Sequence, residues 1–282
     1  MDIASPDPRD WIGRTETVSE TITTTSVYRM SRTLDRDDPR PEEGDPLPLC
    51  WHWMYFAPVA LPADIGHDGH PAKGGFLPPI PYPRRMWAGS RITFDRSLRI
   101  GDLATRHSEI TDVRFKTGLT GKLGFVTVKH TYSDKIGPAV VEEQDIVYRE
   151  PPVGENVASP PQKPPDTPEM IREIKADPVM LFRYSALTFN GHRIHYDYPY
   201  VTGEEGYPGL VVHGPLIATL LVDLVRRNAQ EIDVAQFSFR GLRPTFDVSP
   251  FKVCGIRDGT TFRLWSLDNG GAMAMQASLV IR

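Results

Sequence analysis

Residues 151–169, PPVGENVASPPQKPPDTPE, carry seven prolines. A pyrrolidine ring fixes φ and removes a hydrogen-bond donor, so neither a helix nor a central strand runs through such a stretch; an extended spacer does. The chain of 282 residues is therefore read as an N-terminal part (1–150), a linker (151–169) and a C-terminal part (170–282). Each part falls within the usual size of one domain.

The two parts follow one scheme. In the first, PLPLCWHWMYFAPVAL (46–61) is apolar almost all round and suits a short buried helix. A Gly- and Pro-rich loop (62–85) follows, and loops of that length often border a site. SRITFDRSL, ATRHSEITDVRF, LGFVTVKHTYS and AVVEEQDIVYRE then alternate apolar and polar residues, as antiparallel strands do. In the second, GPLIATLLVDLVRRNAQ (214–230) opens with Gly-Pro, a favourable helix start. The strand-like VAQFSFRGLRPTF, SPFKVCGI, TFRLWSLD and AMAMQASLVIR come after it. A weak internal repeat aligns ITFDRSLRIGD (92–102) with FSFRGLRPTFD (237–247), setting Leu98-Arg99 against Leu242-Arg243 and Asp102 against Asp247. One helix wrapped by a curved antiparallel sheet is the hotdog arrangement. The expected fold class is α+β, a tandem double hotdog whose two sheets join into one layer.

An apolar fraction of 40% with 10% aromatics supplies a core, and a net charge of −4 argues against a general nucleic-acid binder. The two cysteines, Cys50 and Cys254, lie far apart among apolar neighbours and read as buried reduced thiols. No apolar run reaches the roughly 18 residues of a spanning helix. The start, MDIASPDPRDW, lacks the basic and apolar regions of a signal peptide. A cytoplasmic protein without membrane or nucleic-acid partners is expected.

The chemistry concentrates in FNGHRIHYD (189–197). Two histidines three apart can share a helical face as metal ligands do, with His213, Asp197 or Glu204 as a third. No HExxH or other complete ligand set is present, so no metal is expected. For His192 a role and a plain structural place are equally open. His195 follows the apolar aromatic run LFRYSALTF, which suits a proton-exchanging group at the wall of an apolar pocket. A second feature is YPGLVVHGPL (207–216), where Gly214 stands at a helix start. Unpaired N–H groups and the positive end of the helix dipole meet there, although a plain loop-to-helix junction would also explain Gly-Pro. Asp223, within a helix expected to be buried, reads as a hydrogen-bonded structural acid.

Taken together, YSALTFNGHRIHYD and GLVVHGPL resemble the signature of the MaoC-like, or R-specific, enoyl-CoA hydratase family of hotdog proteins. RRMWAGSRITF in the N-terminal part is similar to a two-hotdog branch that includes itaconyl-CoA and mesaconyl-C4-CoA hydratases and 3-hydroxyacyl-thioester dehydratases. The resemblance implies reversible hydration of an α,β-unsaturated acyl-CoA, with no cofactor beyond the coenzyme A of the substrate. Its histidine falls on His195 and its oxyanion-hole glycine on Gly214, the N–H of which would hold an enolate-like oxygen. Its aspartate falls on Asn190, its asparagine on His192 and its proline on Arg193. An amide cannot carry a catalytic proton, so either His195 works alone while Asn190 positions water, or another carboxylate such as Asp197 or Asp223 has taken over.

Tyr184 and His213, within the two motifs, are expected to contact substrate together with Arg85 and Trp87. Arg85, or its neighbour Arg84, would pair with the distal carboxylate of a short dicarboxylyl group. Coenzyme A phosphates need local cations. Lys116 and Lys122, around KTGLTGK, and Arg243 are the expected ones, though a basic hairpin in solvent explains the lysines equally well. The alternatives are a dehydratase of longer 3-hydroxyacyl thioesters and a non-catalytic acyl-CoA binding hotdog. The tandem chain is a self-sufficient pseudo-dimer by this reading, and pairing of such chains into a homo-oligomer is compatible with it.

Overall fold

Alternation in the two meanders becomes eight strands, and two short edge strands outside those meanders complete the sheet. The computed structural model describes residues 6–118, 121–150, 161–165, 167–229 and 232–282. Its N-terminal part supplies β1 (Thr15–Thr21), α1 (Thr24–Thr33), β2 (Arg84–Phe94), β3 (Leu103–Gly118), β4 (Gly121–Asp134) and β5 (Gly137–Arg149). Its C-terminal part supplies β6 (Met170–Ile174), α2 (Pro178–Leu187), α3 (Tyr198–Gly203), α4 (Gly214–Asn228), β7 (Val234–Gly241), β8 (Phe251–Asp258), β9 (Thr261–Leu267) and β10 (Met273–Ile281). Residues 151–160 of the proline-rich stretch lie outside the described residues.

All ten strands belong to one sheet, ordered β1-β3-β4-β5-β2-β7-β10-β9-β8-β6. Outward from the centre, β2-β5-β4-β3-β1 on one side is repeated as β7-β10-β9-β8-β6 on the other. The halves join where β2 pairs antiparallel with β7, Gly89–Thr93 opposite Arg240–Gln236. This is the continuous layer expected of a tandem hotdog.

Helix α4 is the axis of the C-terminal half. Proline in its first turn suits a position whose N–H has no helical acceptor. Every residue from Leu216 to Val225 is buried, and each fully buried leucine contributes about 2 kcal/mol of transfer free energy. Asp223 is the charged member of that run. It pairs with Arg36 at 2.6 Å, Arg172 at 3.1 Å and Arg227 at 2.7 Å, tying α4 to the segment after α1 and to β6. Neither Asp223 nor these three arginines lines the cleft between the halves.

The N-terminal half departs from the expected scheme. The segment 46–61 forms no long helix but a single 3-10 turn, Trp51–Met54. Cys50 and Phe56 adopt left-handed backbone conformations, with φ of 67° and 62°, and Pro46, Pro48 and Pro58 deny further donors. The segment is buried as predicted, with Trp51, Met54, Tyr55 and Phe56 in the core. The helix of this half is instead α1, capped by Thr23, whose side chain accepts from the Ser26 N–H.

The internal repeat also needs correction. Strands β2 and β7 are equivalent, but the bridge Pro46–Arg99 is matched by Val211–Phe246. Likewise Leu47 N–H donates to Leu98 at 2.8 Å as Val212 N–H does to Thr245 at 2.8 Å. Arg99 thus corresponds to Phe246, three residues beyond the expected Arg243.

Candidate active site

Helix α2 is capped by Asp177, which accepts from the Met180 N–H at 2.9 Å, and it ends where Phe189 turns left-handed with φ of 50°. Asn190 then donates its backbone N–H to Ser185 O at 2.8 Å and accepts the His192 N–H on Oδ1 at 3.0 Å. This amide therefore shapes the turn, and its carbonyl is committed. The 3-10 turn Arg193–His195 follows. Asp197 caps α3 through the Tyr200 N–H at 3.1 Å and pairs with Arg193 at 2.8 Å, and it does not line the cleft.

His195 lies against the segment leading into α4. Its Nδ1 is 2.7 Å from Val211 O. A carbonyl only accepts, so Nδ1 carries the hydrogen and Nε2 is the free base. Burial holds this imidazole down to about 4, against the opposing pull of that carbonyl. His213 stacks on it, ring centroids 3.6 Å apart and planes 16° from parallel, and its Nε2 is 2.8 Å from Ser185 Oγ. Burial, then the charge of His195, keeps His213 well below its ordinary value. His213 stands behind His195, outside the cleft wall, rather than in the expected contact with substrate.

Gly214 begins α4, and its N–H, like that of Leu216, precedes the first helical acceptor. A Cβ placed on it would find only Trp87 O, at 3.8 Å. Protein packing therefore does not demand glycine here; the bare Cα leaves room on the cleft side.

A loop of the N-terminal half closes over the motif. Gly69, at φ of +88°, meets Gly191 so closely that a Cβ would strike the Gly191 carbonyl, and Arg193 N–H donates to Asp68 O at 2.9 Å. This contact brings up Asp68 and His70. The Asp68 carboxylate accepts from the His70 N–H at 3.0 Å and lies 2.9 Å from His70 Nδ1. The His70 ring faces that of His192 at 4.1 Å, and His192 in turn meets His195 edge-on at 5.4 Å. Burial lowers His70 and His192, the latter also through the His70 charge. Burial would raise Asp68, but its bonds to His70 prevail and hold it below the usual carboxylate range. Asp68, His70 and His192 each offer a ligand atom within 4.8 Å of the others, a grouping that a divalent cation could also use. Neither Asp68 nor His70 stood out in the sequence. The signal was HDGH inside the long Gly/Pro loop, where a glycine between two ionisable groups allows close backbone approach.

One cleft of about 2230 Å³ runs between the halves and is lined by His195, Asn190, Gly214, Tyr184, Arg85, Trp87 and Arg243, together with His70 and His192. Trp53, Tyr132 and Glu142 also line this cleft from the N-terminal half. Trp87 is anchored through its indole N–H to Ser90 Oγ at 2.9 Å, and Ser90 donates to the buried Glu142 at 2.6 Å. Arg84 is neutralised by Glu205 at 3.0 Å, whereas no carboxylate of the described residues pairs with Arg85. The charge of Arg85 is felt at both His70 and His192. Arg243 stands 3.7 Å from Asp268 at the cleft wall. Lys116 and Lys122 are not brought to that wall; Lys116 lies over Phe125 on the β3–β4 hairpin.

A sheet continuous across two helix-bearing halves, with a histidine and a helix N-terminus facing one cleft, defines a double-hotdog protein. A conserved Mycobacterium tuberculosis protein described as having a double hotdog fold superposes with a TM-score of 0.55 at 12% identity, covering 100% of both chains. A MaoC-like dehydratase from Phytophthora capsici superposes with a TM-score of 0.71 at 15% identity over 97% of each. Residues 50–247 match the family model for hydroxyacyl-thioester dehydratase type 2. The chain is 45% identical to the mesaconyl-C(4)-CoA hydratase of Chloroflexus aurantiacus, over 98% of this chain and 99% of that one. It is 26% identical to the mitochondrial hydroxyacyl-thioester dehydratase type 2 of Schizosaccharomyces pombe, over 72% and 76% respectively. The chain belongs to the hydroxyacyl-thioester dehydratase type 2 family and is a hydro-lyase of acyl thioesters. Among the described residues, no helix is long and apolar enough to cross a membrane.

Proposed function

We propose that this enzyme reversibly hydrates mesaconyl-C4-CoA to citramalyl-CoA in the cytoplasm, with coenzyme A entering only as part of the substrate. The observation that carries this reading is Arg85, free of a carboxylate partner and close to the motif histidines. In a C4-linked mesaconyl thioester the free carboxylate sits on the β-carbon, the carbon that water attacks. A cation beside the base is what that substrate needs. The buried Tyr148 hydroxyl lies against Arg85, which opposes the upward push of burial on it.

In the hydration direction, His195 Nε2 accepts a hydrogen bond from the attacking water, whose oxygen bonds to the β-carbon while the proton it releases is passed on to the α-carbon; in between, the π pair rests on the thioester oxygen. That oxygen gathers charge at the N-terminus of α4, where the Gly214 N–H donates to it. Tyr184 and Trp87 wall the acyl group, and Arg243 meets the coenzyme A phosphates. Lys116 and Lys122, set away from the cleft wall, are assigned no part.

A dehydratase of longer 3-hydroxyacyl thioesters is the second reading, favoured by the volume of the cleft. Loss of enoyl absorbance with mesaconyl-C4-, itaconyl- and crotonyl-CoA, assayed side by side, separates the two. Preference for mesaconyl-C4-CoA supports the dicarboxylyl reading. Faster turnover of crotonyl- or decenoyl-CoA removes it.

A further inference from the structure

We propose that the Asp68–His70 pair is the proton-transferring group of this catalytic centre, supplied by the N-terminal half, and that it does the proton work for which position 190 offers only an amide. The inference rests on the hydratase reading above and extends it.

An isolated buried imidazole is a poor resting place for a proton. His195 has only a carbonyl behind it, which orients the ring but brings no full negative charge to balance an imidazolium. Stacked His213 would meet that positive charge at 3.6 Å. His70 differs. Its Nδ1 is held by a carboxylate at 2.9 Å, the arrangement by which an aspartate fixes an imidazole tautomer and stabilises its protonated form. With Nδ1 and the backbone N–H both committed to Asp68, Nε2 at the opposite edge is the one remaining proton site of the ring.

The pair is built into the site rather than adjacent to it by chance. The Gly69–Gly191 approach excludes any side chain between the two loops, and the Arg193–Asp68 backbone bond fixes their register. Both His70 and His195 line the same cleft, and the charge of His70 reaches His195. A water donating one hydrogen to each Nε2 is held with its oxygen lone pair free to face the substrate double bond. On attack, one O–H bond breaks and its proton goes to His70 Nε2. The oxygen bonds to the β-carbon, and the π pair moves to the thioester oxygen. The imidazolium, paired with Asp68, then returns that proton to the α-carbon as the electron pair comes back. Atoms and charge balance, and His195 keeps its hydrogen bond throughout.

Divalent-cation binding by the same three residues is the competing use of the cluster. A neighbouring Arg85 opposes a cation there, and the Asp68–His70 hydrogen bond would have to be given up.

The test compares wild type, Asp68→Asn, His70→Ala and His70→Gln on mesaconyl-C4-CoA, with Tm and a pH profile of kcat/KM for each. The proposal expects a fall in kcat of about 10²-fold or more for both His70 variants at unchanged Tm. For Asp68→Asn it expects a similar fall, with the acidic limb of the profile displaced to lower pH as the imidazolium loses its counter-charge. A purely structural role would leave that limb in place. Activity within about threefold of wild type in a folded His70 variant overturns the proposal while leaving the hydratase reading intact. Loss of wild-type activity on chelation, restored by a divalent cation, overturns it in favour of a metal. No turnover by wild type removes both readings together.

Discussion

His195 and His213 stack 3.6 Å apart at 16°, two imidazoles from separate elements pressed face to face in a buried layer. The contact is tolerable only while both are neutral, since two imidazolium charges at that distance repel strongly in a low-dielectric interior. Ser185 and Val211 fix the rings from behind through hydrogen bonds of 2.8 and 2.7 Å. The His195 imidazole is thus held by a support that fails on acidification.

Stability should fall on mild acidification. The ordinary histidine value is 6.5, and burial holds His195 and His130 at about 4, with His192 and His213 lowered too. A basic group with a lowered folded value binds protons more readily when unfolded. Stability therefore rises with pH between about 4 and 6.5 and is lost as pH drops through that window. Asp68 and Glu142 are lowered carboxylates, so their contributions persist there and fail only at lower pH. Scanning calorimetry should give a Tm roughly 5 °C or more lower at pH 5 than at pH 7.5; an unchanged Tm would contradict the neutral histidine layer.

Gly214→Ala should leave folding intact, because only Trp87 O lies near the new methyl group, at 3.8 Å. The methyl group enters space reserved for the thioester. A drop in kcat/KM of about 10²-fold at equal or higher Tm is expected, of the order of losing one oxyanion donor. Steady-state kinetics beside a melting curve reads both.

Arg85→Gln should act on substrate choice. Removing a charge-assisted bond to a carboxylate costs about 1.5–3 kcal/mol, or roughly 10- to 100-fold in kcat/KM for mesaconyl-C4-CoA. Crotonyl-CoA, which lacks the carboxylate, should change little. Equal losses on the two substrates would show that Arg85 serves the scaffold.

Asp223→Ala should act on stability. It strands Arg36, Arg172 and Arg227 around a vacated buried site, and breaking a buried ion pair costs about 3–5 kcal/mol. Urea denaturation should show that loss in midpoint, while kcat of the remaining folded enzyme stays near wild type.

Much of this architecture was legible because two-residue alternation marks a strand buried on one face, and Gly-Pro marks where α4 starts. Strand β1, TETVSET, escaped since it is an exposed edge with few apolar positions to alternate. The segment 46–61 misled for the opposite reason. Its apolar composition reports burial, which is true, but burial does not specify helix. Left-handed Cys50 and Phe56 decide the backbone, and no pattern of hydrophobicity encodes them. At the site, His195 and Gly214 were legible because each lies in a local motif. Asp68 and His70 were not, because their meaning arises only when a loop more than a hundred residues upstream docks on Gly191. His213 was read as a substrate contact, and nothing in one sequence tells a ring in the cleft wall from the ring stacked behind it.

The central claim is that His195 holds the attacking water through Nε2 in a cleft shared by both halves. Its most direct measurement is the rate of enoyl absorbance loss with mesaconyl-C4-CoA for His195→Ala against wild type, at equal Tm. The account predicts a fall in kcat of about 10²-fold or more, as expected when the attacking water loses the group that positions it. A folded His195→Ala enzyme that hydrates this substrate at near wild-type rate would contradict it.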